Sequence, residues 1–120
     1  MQIENSTFVV TGGSSGLGQA TVELIVAAGG NVVIADVNKA AGEALAVKLG
    51  SRSRFAACDV TSEEHAKRTI ATARDAFGGL QGLVNCAGVG VPAKVLGKDG
   101  PHPLDRFTSI VGINLIGTFN

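Results

Sequence analysis

Short, mostly apolar runs alternate along this chain with longer segments in which apolar residues recur at helical spacing. The runs predict strands at residues 7–11, 31–36, 53–60 and 82–88. Strands that are apolar throughout are buried on both faces of a sheet, and helices between them imply right-handed crossovers. The alternation therefore predicts an α/β fold: a Rossmann-like, doubly wound parallel sheet, here the first four strands of a larger single domain.

Three helices are predicted between these strands, and a fourth follows the last one. Gly50 is predicted to cap the second helix, while Thr61 and Glu64 have the spacing of a capping box at the start of the third. The glycine pair at 78–79 is predicted to end that helix. On the fourth helix, Asn114 falls on the apolar stripe and is predicted to be buried. The stripe predicted for the first helix consists of Leu17, Ala20, Thr21, Leu24 and Ala28.

The charge balance excludes several classes of partner. Ten Lys or Arg residues offset ten Asp or Glu residues, so the net charge is zero at pH 7. This balance gives no electrostatic case for nucleic acid or an anionic membrane. No apolar run approaches the ~18 residues of a membrane span, and the N-terminus has no signal-peptide pattern. We therefore predict a cytoplasmic protein, with the mitochondrial matrix as the alternative.

The cysteines and histidines do not predict a metal site. Cys58 and Cys86 lie far apart and fit no metal-ligand spacing, so they are interpreted as two buried, reduced thiols. His65 and His102 are predicted to be surface residues. No metal is therefore expected.

The stretch TGGSSGLG, residues 11–18, joins the first strand to the first helix. A helix N-terminus has unpaired N–H groups and a partial positive charge, and glycine lets a pyrophosphate approach it. A P-loop would need Lys and Ser or Thr where Gln19 and Ala20 stand, and G-x-G-x-x-G fails at Thr21. The spacing T-G-x-x-x-G-x-G fits without exception, at Thr11, Gly12, Gly16 and Gly18.

Polar residues end the later strands, at the edge of the sheet where ligands of open α/β folds bind. Asp36 lies at the ~20-residue spacing of the acidic residue that accepts hydrogen bonds from an adenosine ribose. A carboxylate there repels a 2′-phosphate, and Lys39 is the one close cation, which favours NAD over NADP. Asp59 either accepts from an adenine amino group or belongs to the helix start beside Thr61. Residues 85–88 form an edge of small residues that suits a ring or ribose.

Together these motifs resemble the short-chain dehydrogenase/reductase family. The matching elements are TGGSSGLG, the strand-terminal Asp36, the pair at 59–60, NCAG at 85–88 and the helical Asn114. NCAG departs from the commoner N-N-A-G by Cys86. The segments DVNKAAGEALAVKLG (36–50), GKDGPHPLDRF (97–107) and INLIGTFN (113–120) also resemble the type 2 3-hydroxyacyl-CoA dehydrogenase subgroup, some members of which are called hydroxysteroid dehydrogenases.

The resemblance implies an NAD-dependent oxidoreductase that interconverts a secondary alcohol and a ketone, with a 3-hydroxyacyl-CoA or a hydroxysteroid as substrate. It implies that residues 89–103 border the substrate pocket, and that Asn114 supports a catalytic proton relay. From the residues alone, Asn114 either holds a water or a backbone group beside a catalytic site or only satisfies a neighbouring carbonyl. The implied cofactor-binding residues are Gly12, Ser15, Gly16, Leu17 and Gly18 at the pyrophosphate, Asp36 at the ribose, Asp59 and Val60 at the adenine, and Cys86, Ala87 and Gly88 towards the nicotinamide ribose.

The family's general acid/base is a Tyr, assisted by a Lys and a Ser that follow the helical Asn. This chain contains no Tyr, so residues 1–120 are interpreted as the dinucleotide-binding N-terminal part of one such domain, and the resemblance implies a homotetramer for the complete enzyme. If the chain ends at residue 120, the alternative is a non-catalytic NAD-binding or partner-binding module. The glycine spacing argues against a methyltransferase.

Overall fold

Four parallel strands form the sheet in the computed structural model, which describes residues 2–120. The strands are β1 (Thr7–Thr11), β2 (Asn31–Asp36), β3 (Ser53–Ala57) and β4 (Gly82–Asn85). Their order across the sheet is β3-β2-β1-β4, and every neighbouring pair is parallel. The predicted Rossmann-like parallel sheet is therefore confirmed.

The strands β3 and β4 end earlier than predicted, whereas β1 and β2 have the predicted bounds. After β3, the backbone N–H of Asp59 donates to the His65 imidazole, outside the strand ladder. After β4, the Cys86 N–H donates to both the Thr11 carbonyl (3.1 Å) and the Thr11 hydroxyl (3.2 Å), and the Ala87 N–H donates to the hydroxyl (3.1 Å). Side-chain acceptors therefore take over from strand pairing at Asp59 and at Ala87.

Helices connect the strands and follow the last of them. They are α1 (Gly16–Ala27), α2 (Lys39–Leu49) and α3 (Glu63–Phe77). The last helix consists of α4 (Leu104–Val111), a π-helical turn (Gly112–Ile116) and a final α-helical turn (Gly117–Phe119). A small hairpin, β5 (Leu96–Gly97) and β6 (Gly100–Pro101), interrupts the segment that was predicted to be a loop throughout.

The predicted glycine caps are confirmed, but the predicted capping box is wrong. Gly50 and Gly78 follow α2 and α3 with φ of +74° and +79°. The N-cap of α3 is Ser62, whose hydroxyl accepts from the His65 N–H, so Thr61 lies before the helix. The reason is the carboxylate of Asp59, which accepts from the Thr61 hydroxyl and N–H and holds Thr61 in the preceding turn.

The side chains of the strands alternate between two cores, one on each face of the sheet. Phe8, Val10, Val32 and Ile34 pack with α1 and α2 through Val22, Ile25 and Leu45. Val9, Val33, Ala35 and Ala56 pack on the opposite face with Ala73 of α3. Helices on both faces are the defining feature of a doubly wound sheet.

The stripe predicted for α1 lies on its exposed face. Leu17 and Leu24 are 84% and 71% exposed, whereas Val22 and Ile25 enter the core. The helix carries apolar residues on both sides, so its periodicity could not distinguish them.

The predicted burial of Asn114 is also wrong, because the last helix rests on the sheet through few residues. Asn114 is exposed, and Phe119 is 93% exposed. The close contact of this helix is Gly117, where a Cβ atom would meet the Val60 side chain at 2.5 Å. None of the helices within residues 2–120 has the length and apolar character that crossing a bilayer requires.

Truncation of Ile34 tests the core on the α1 side. Ile34 is fully buried at the centre of that core, so Ile34→Ala is expected to lower the free energy of unfolding by about 2–5 kcal/mol. Urea denaturation of the full-length protein measures the change. The control is Val47→Ala, at a side chain that is 83% exposed, with an expected change within about 0.5 kcal/mol. Equal losses from both variants would contradict this description of the core.

Candidate functional site

A cavity of about 730 Å³ opens at the carboxyl ends of the strands. All eleven residues predicted to bind the cofactor line this cavity, from the glycine turn and from the ends of β2, β3 and β4. Seven further lining residues were not among those predicted to bind the cofactor: Val37, Cys58, Thr61, Val89, Ser109, Gly112 and Ile113. Three of these lie on the last helix, and no local motif points to them because only the packing of that helix brings them to the cavity.

The glycines of the turn have two structural roles: two of them permit close backbone contacts and one leaves open space. A Cβ atom at Gly12 would lie 2.8 Å from the backbone of Ala87, and one at Gly18 would overlap the carbonyl oxygen of Gly12. These two positions therefore allow the turn to pack on β4 and on itself. Gly16 has a φ of +52° and nothing within 4 Å of its missing Cβ, so it leaves open space beside the cavity.

The N-terminus of α1 faces this space without a side-chain cap. The N-cap residue, Ser15, makes no capping hydrogen bond, and the first turn contains no acidic side chain. Gly16, Leu17 and Gly18 begin the helix and line the cavity. The partial positive charge of a helix N-terminus is thus available to an anion there.

The Thr11 side chain links the end of β1 to the end of β4 through hydrogen bonds. Its hydroxyl oxygen accepts from the N–H groups of Cys86 (3.2 Å) and Ala87 (3.1 Å) and lies 3.5 Å from the Asn85 amide oxygen, to which it donates. This sets the position of the small-residue edge opposite the glycine turn. The motif included Thr11, but the sequence assigned it no role because its partners lie 74 to 76 residues away.

Asp36 presents a fixed carboxylate at the end of β2. One oxygen accepts from the Ser14 N–H (3.0 Å) and the other from the Asn38 N–H (2.9 Å). Partial burial raises the pKa of Asp36, but hydrogen bonds from Asn38, Ser14 and Val37 outweigh it, so the pKa is below its ordinary value. The side chain is therefore ionised at neutral pH.

The sequence left two roles open for Asp59, and the structure bears on both of them. Its carboxylate accepts from the Thr61 hydroxyl (2.7 Å) and the Thr61 N–H (2.9 Å), and these bonds lower its pKa. The turn before α3 is therefore one role of Asp59. The residue also lines the cavity, and its contact with an adenine stays a prediction.

Asn114 holds the segment that follows β4. Its amide oxygen accepts from the Val89 N–H (2.9 Å), and its amide nitrogen donates to the Val89 carbonyl (2.8 Å). The residue lies in the π-helical turn, a feature often found at functional sites. It does not line the cavity itself. A backbone partner for the amide was one of the two alternatives, and the proton-relay role stays a prediction.

The remaining candidates differ in part from expectation. Cys58 is buried as predicted, whereas Cys86 is only half-buried, and both are free thiols. His65 and His102 are half-buried, although surface positions were predicted. Within residues 2–120, no three His, Cys, Asp or Glu side chains come together as a metal site would require.

Comparison with known proteins places this geometry in a family. The model of the short chain dehydrogenase family matches residues 6–120. The chain belongs to the short-chain dehydrogenase family. Human 3-hydroxyacyl-CoA dehydrogenase type-2 is 45% identical over 114 residues, which cover 93% of this chain and 44% of that protein. The 2,5-dichloro-2,5-cyclohexadiene-1,4-diol dehydrogenase of Sphingobium indicum is 42% identical over 117 residues, 98% of this chain and 46% of that protein.

A solved structure of the family shows the same architecture. The crystal structure of 3-hydroxyacyl-CoA dehydrogenase type-2 from Mycobacterium avium superposes with a TM-score of 0.85 at 38% identity, over 95% of this chain and 44% of that one. The chain thus spans less than half the length of the curated relatives named above. Dehydrogenases of this family generally use NAD or NADP.

The residues of the cavity fit such a dinucleotide. The open space at Gly16 and the uncapped start of α1 suit a pyrophosphate. The ionised carboxylate of Asp36 suits the hydroxyls of a ribose. The cavity therefore offers complementary groups for both parts of the ligand.

Substitution of Gly16 tests whether a pyrophosphate occupies the open space at the start of α1. Gly16→Ala and the control Gly78→Ala both place alanine at a positive φ with no protein atom near the new methyl, so each is expected to cost roughly 1–2 kcal/mol of stability. Only Gly16 lines the cavity. Calorimetric titration of the full-length protein should show NAD binding weakened about tenfold by Gly16→Ala, as after loss of a charge-assisted hydrogen bond. Unchanged affinity in Gly16→Ala would rule out a phosphate at this position.

Proposed function

We propose that this chain is the dinucleotide-binding half of an NAD-dependent dehydrogenase that interconverts a secondary alcohol and a ketone. One observation carries the proposal: a single cavity combines the open N-terminus of α1 with the fixed carboxylate of Asp36. The reaction class is supported by the dehydrogenase names of relatives at 42–45% identity.

Each part of the cavity has a distinct binding task in this proposal. The N–H groups at the start of α1 bind the pyrophosphate, and Asp36 accepts hydrogen bonds from the adenosine ribose. Ala87 and Gly88 keep the opposite side of the cavity free of bulky side chains. The dinucleotide, when bound, supplies the hydride acceptor or donor.

The preference for NAD over NADP is argued from charge. The Asp36 carboxylate is anchored through both oxygens and ionised at neutral pH, so a 2′-phosphate beside it would meet like charge. Lys39, the nearby cation noted in the sequence, forms an ion pair with Glu43 at 3.8 Å. Its charge is therefore already partly balanced by a carboxylate.

We assign proton transfer to residues outside this segment. A general acid/base needs a pKa near the working pH. The carboxyl groups that line the cavity, Asp36 and Asp59, both have lowered pKa values, and the chain contains no Tyr. The contribution of Asn114 is to hold Val89, and through it the loop at 89–103, beside the cavity.

For the substrate, a 3-hydroxyacyl-CoA is the first candidate and a hydroxysteroid belongs to the same proposal. The support is the name shared by the human, bovine and Drosophila melanogaster relatives, 3-hydroxyacyl-CoA dehydrogenase type-2, at 41–45% identity. A cyclic diol is a second candidate, because the Sphingobium indicum relative named for such a substrate is 42% identical.

Steady-state kinetics of the full-length protein with NAD should rank these substrates. We expect the highest kcat/KM for a 3-hydroxyacyl-CoA thioester, a lower value for a hydroxysteroid and the lowest for a cyclohexadiene diol. The matched control repeats each assay with NADP, which should support slower turnover. A highest value for the cyclic diol would overturn the substrate class, and no turnover of any secondary alcohol would overturn the reaction.

Replacement of Asp36 tests the ribose site. Asp36→Ala should weaken NAD binding by about 1–3 kcal/mol, the scale of a lost charged hydrogen bond. It should also reduce the ratio between the affinities for NAD and NADP. Calorimetric titration with both dinucleotides measures each change. The control, Asp75→Ala, removes the same charge from an exposed position on α3 and should leave both affinities unchanged. NAD binding that survives Asp36→Ala in full would show that the ribose lies elsewhere.

A further inference from the structure

The turn between β3 and α3 borders the cavity and is held by five hydrogen bonds. The Asp59 N–H donates to Nδ1 of His65 (3.1 Å), and the Asp59 carbonyl accepts from the Ser62 N–H (3.0 Å). The Asp59 carboxylate accepts from Thr61, and the Val60 carbonyl accepts from the Asn120 side chain (2.9 Å). Asp59, Val60 and Thr61 all line the cavity. The conformation of this turn thus sets the shape of one cavity wall.

His65 is the one partner in this set whose side chain is of a type that can gain a proton near neutral pH. Nδ1 of an imidazole accepts a hydrogen bond only when that nitrogen carries no proton, and an ordinary imidazole titrates near ~6.5. The hydroxyl, amide and backbone groups in the turn do not titrate there. The carboxyl of Asp59 has a lowered pKa and stays ionised through the same range.

The charged groups around His65 do not offer the Asp59 N–H another acceptor in place of Nδ1 of His65. On α3, Glu63 pairs with Lys67 and Glu64 with Arg68. On the strands and turns packed against α3, the charged groups are Arg54, which lies over the Phe77 ring at the far end of α3, Asp36, which is bonded to Ser14 and Asn38, and Asp59. Asp59 is the one whose carboxyl interacts with the charge of His65.

Protonation of His65 therefore acts on the turn in two ways. The new Nδ1–H points at the Asp59 N–H, so two donors face each other and the bond is lost. The imidazolium also attracts the Asp59 carboxylate, in competition with Thr61.

We propose that His65 is a positioning residue for the adenine end of the cavity, and that it makes dinucleotide binding depend on pH. Neutral His65 fixes the Asp59–Thr61 turn in the binding conformation. Protonated His65 releases the Asp59 N–H, and affinity falls as the pH drops through the imidazole titration. This inference rests on the proposed function only in taking the cavity to bind an adenine dinucleotide.

The test uses ADP-ribose, which contains the adenine half of the ligand without the nicotinamide. Calorimetric titration of the full-length protein between pH 8.0 and 5.5 should show wild-type affinity falling about three- to tenfold, as for one lost hydrogen bond. His65→Asn places an amide oxygen near Nδ1 without a titrating group, so its affinity should stay high at every pH. His65→Leu removes the acceptor and should bind weakly at every pH. Asp75→Asn changes an exposed residue near the far end of α3 and should keep the wild-type profile.

Several outcomes would overturn the inference. It fails if His65→Asn retains the wild-type pH dependence, or if His65→Leu binds ADP-ribose as tightly as the wild type at pH 7.5. A second measurement, the pH titration of the Asp59 backbone amide by NMR in the ligand-free protein, should report the imidazole titration and lose it in His65→Asn. If the wild type does not bind ADP-ribose at all, the proposed function fails, while the NMR titration still shows whether His65 controls the turn.

Discussion

The pairing of β1 with β2 on one edge and β4 on the other is the constraint on which this structure depends. Burial on both faces makes β1 the centre of the fold, with Val10 in the core beside α1 and Val9 in the core beside α3. Because the chain leaves β1 through α1 and reaches β4 only after α3, its connections cover opposite faces of the sheet. A crevice at the carboxyl ends of such strands follows from that divergence.

The site is built mainly from backbone groups, and side chains set their positions. Thr11 receives the N–H groups that follow β4, Asp36 receives those of Ser14 and Asn38, and Asn114 receives that of Val89. Each of these side chains satisfies backbone groups that strand or helix pairing leaves open. The same arrangement accounts for His65 and the Asp59 N–H, except that an imidazole can lose its acceptor when it is protonated.

Particular residues show how far prediction from sequence extends. The strand bounds of β1 and β2, the glycine caps and the carboxylate of Asp36 were predictable because apolar runs, positive φ and strand-terminal charge are local properties. Thr61 as the N-cap of α3 was wrong, and the helical stripe that contains Leu17 lies on the exposed face of α1. The cap depended on a competing bond to Asp59, and the helix face depended on which side of α1 meets the sheet.

The sequence by itself determined the parallel α/β fold, the glycine turn and the residues at the strand ends that line the cavity. Those features depend on interactions within a few residues or on hydrophobic periodicity. The tertiary structure alone decided that Ser109, Gly112 and Ile113 reach the cavity, that Thr11 joins β1 to the segment after β4, and that Asn114 holds Val89 while remaining exposed. These contacts join residues 25 to 76 positions apart or depend on how the last helix packs, and no local pattern encodes the distance between them.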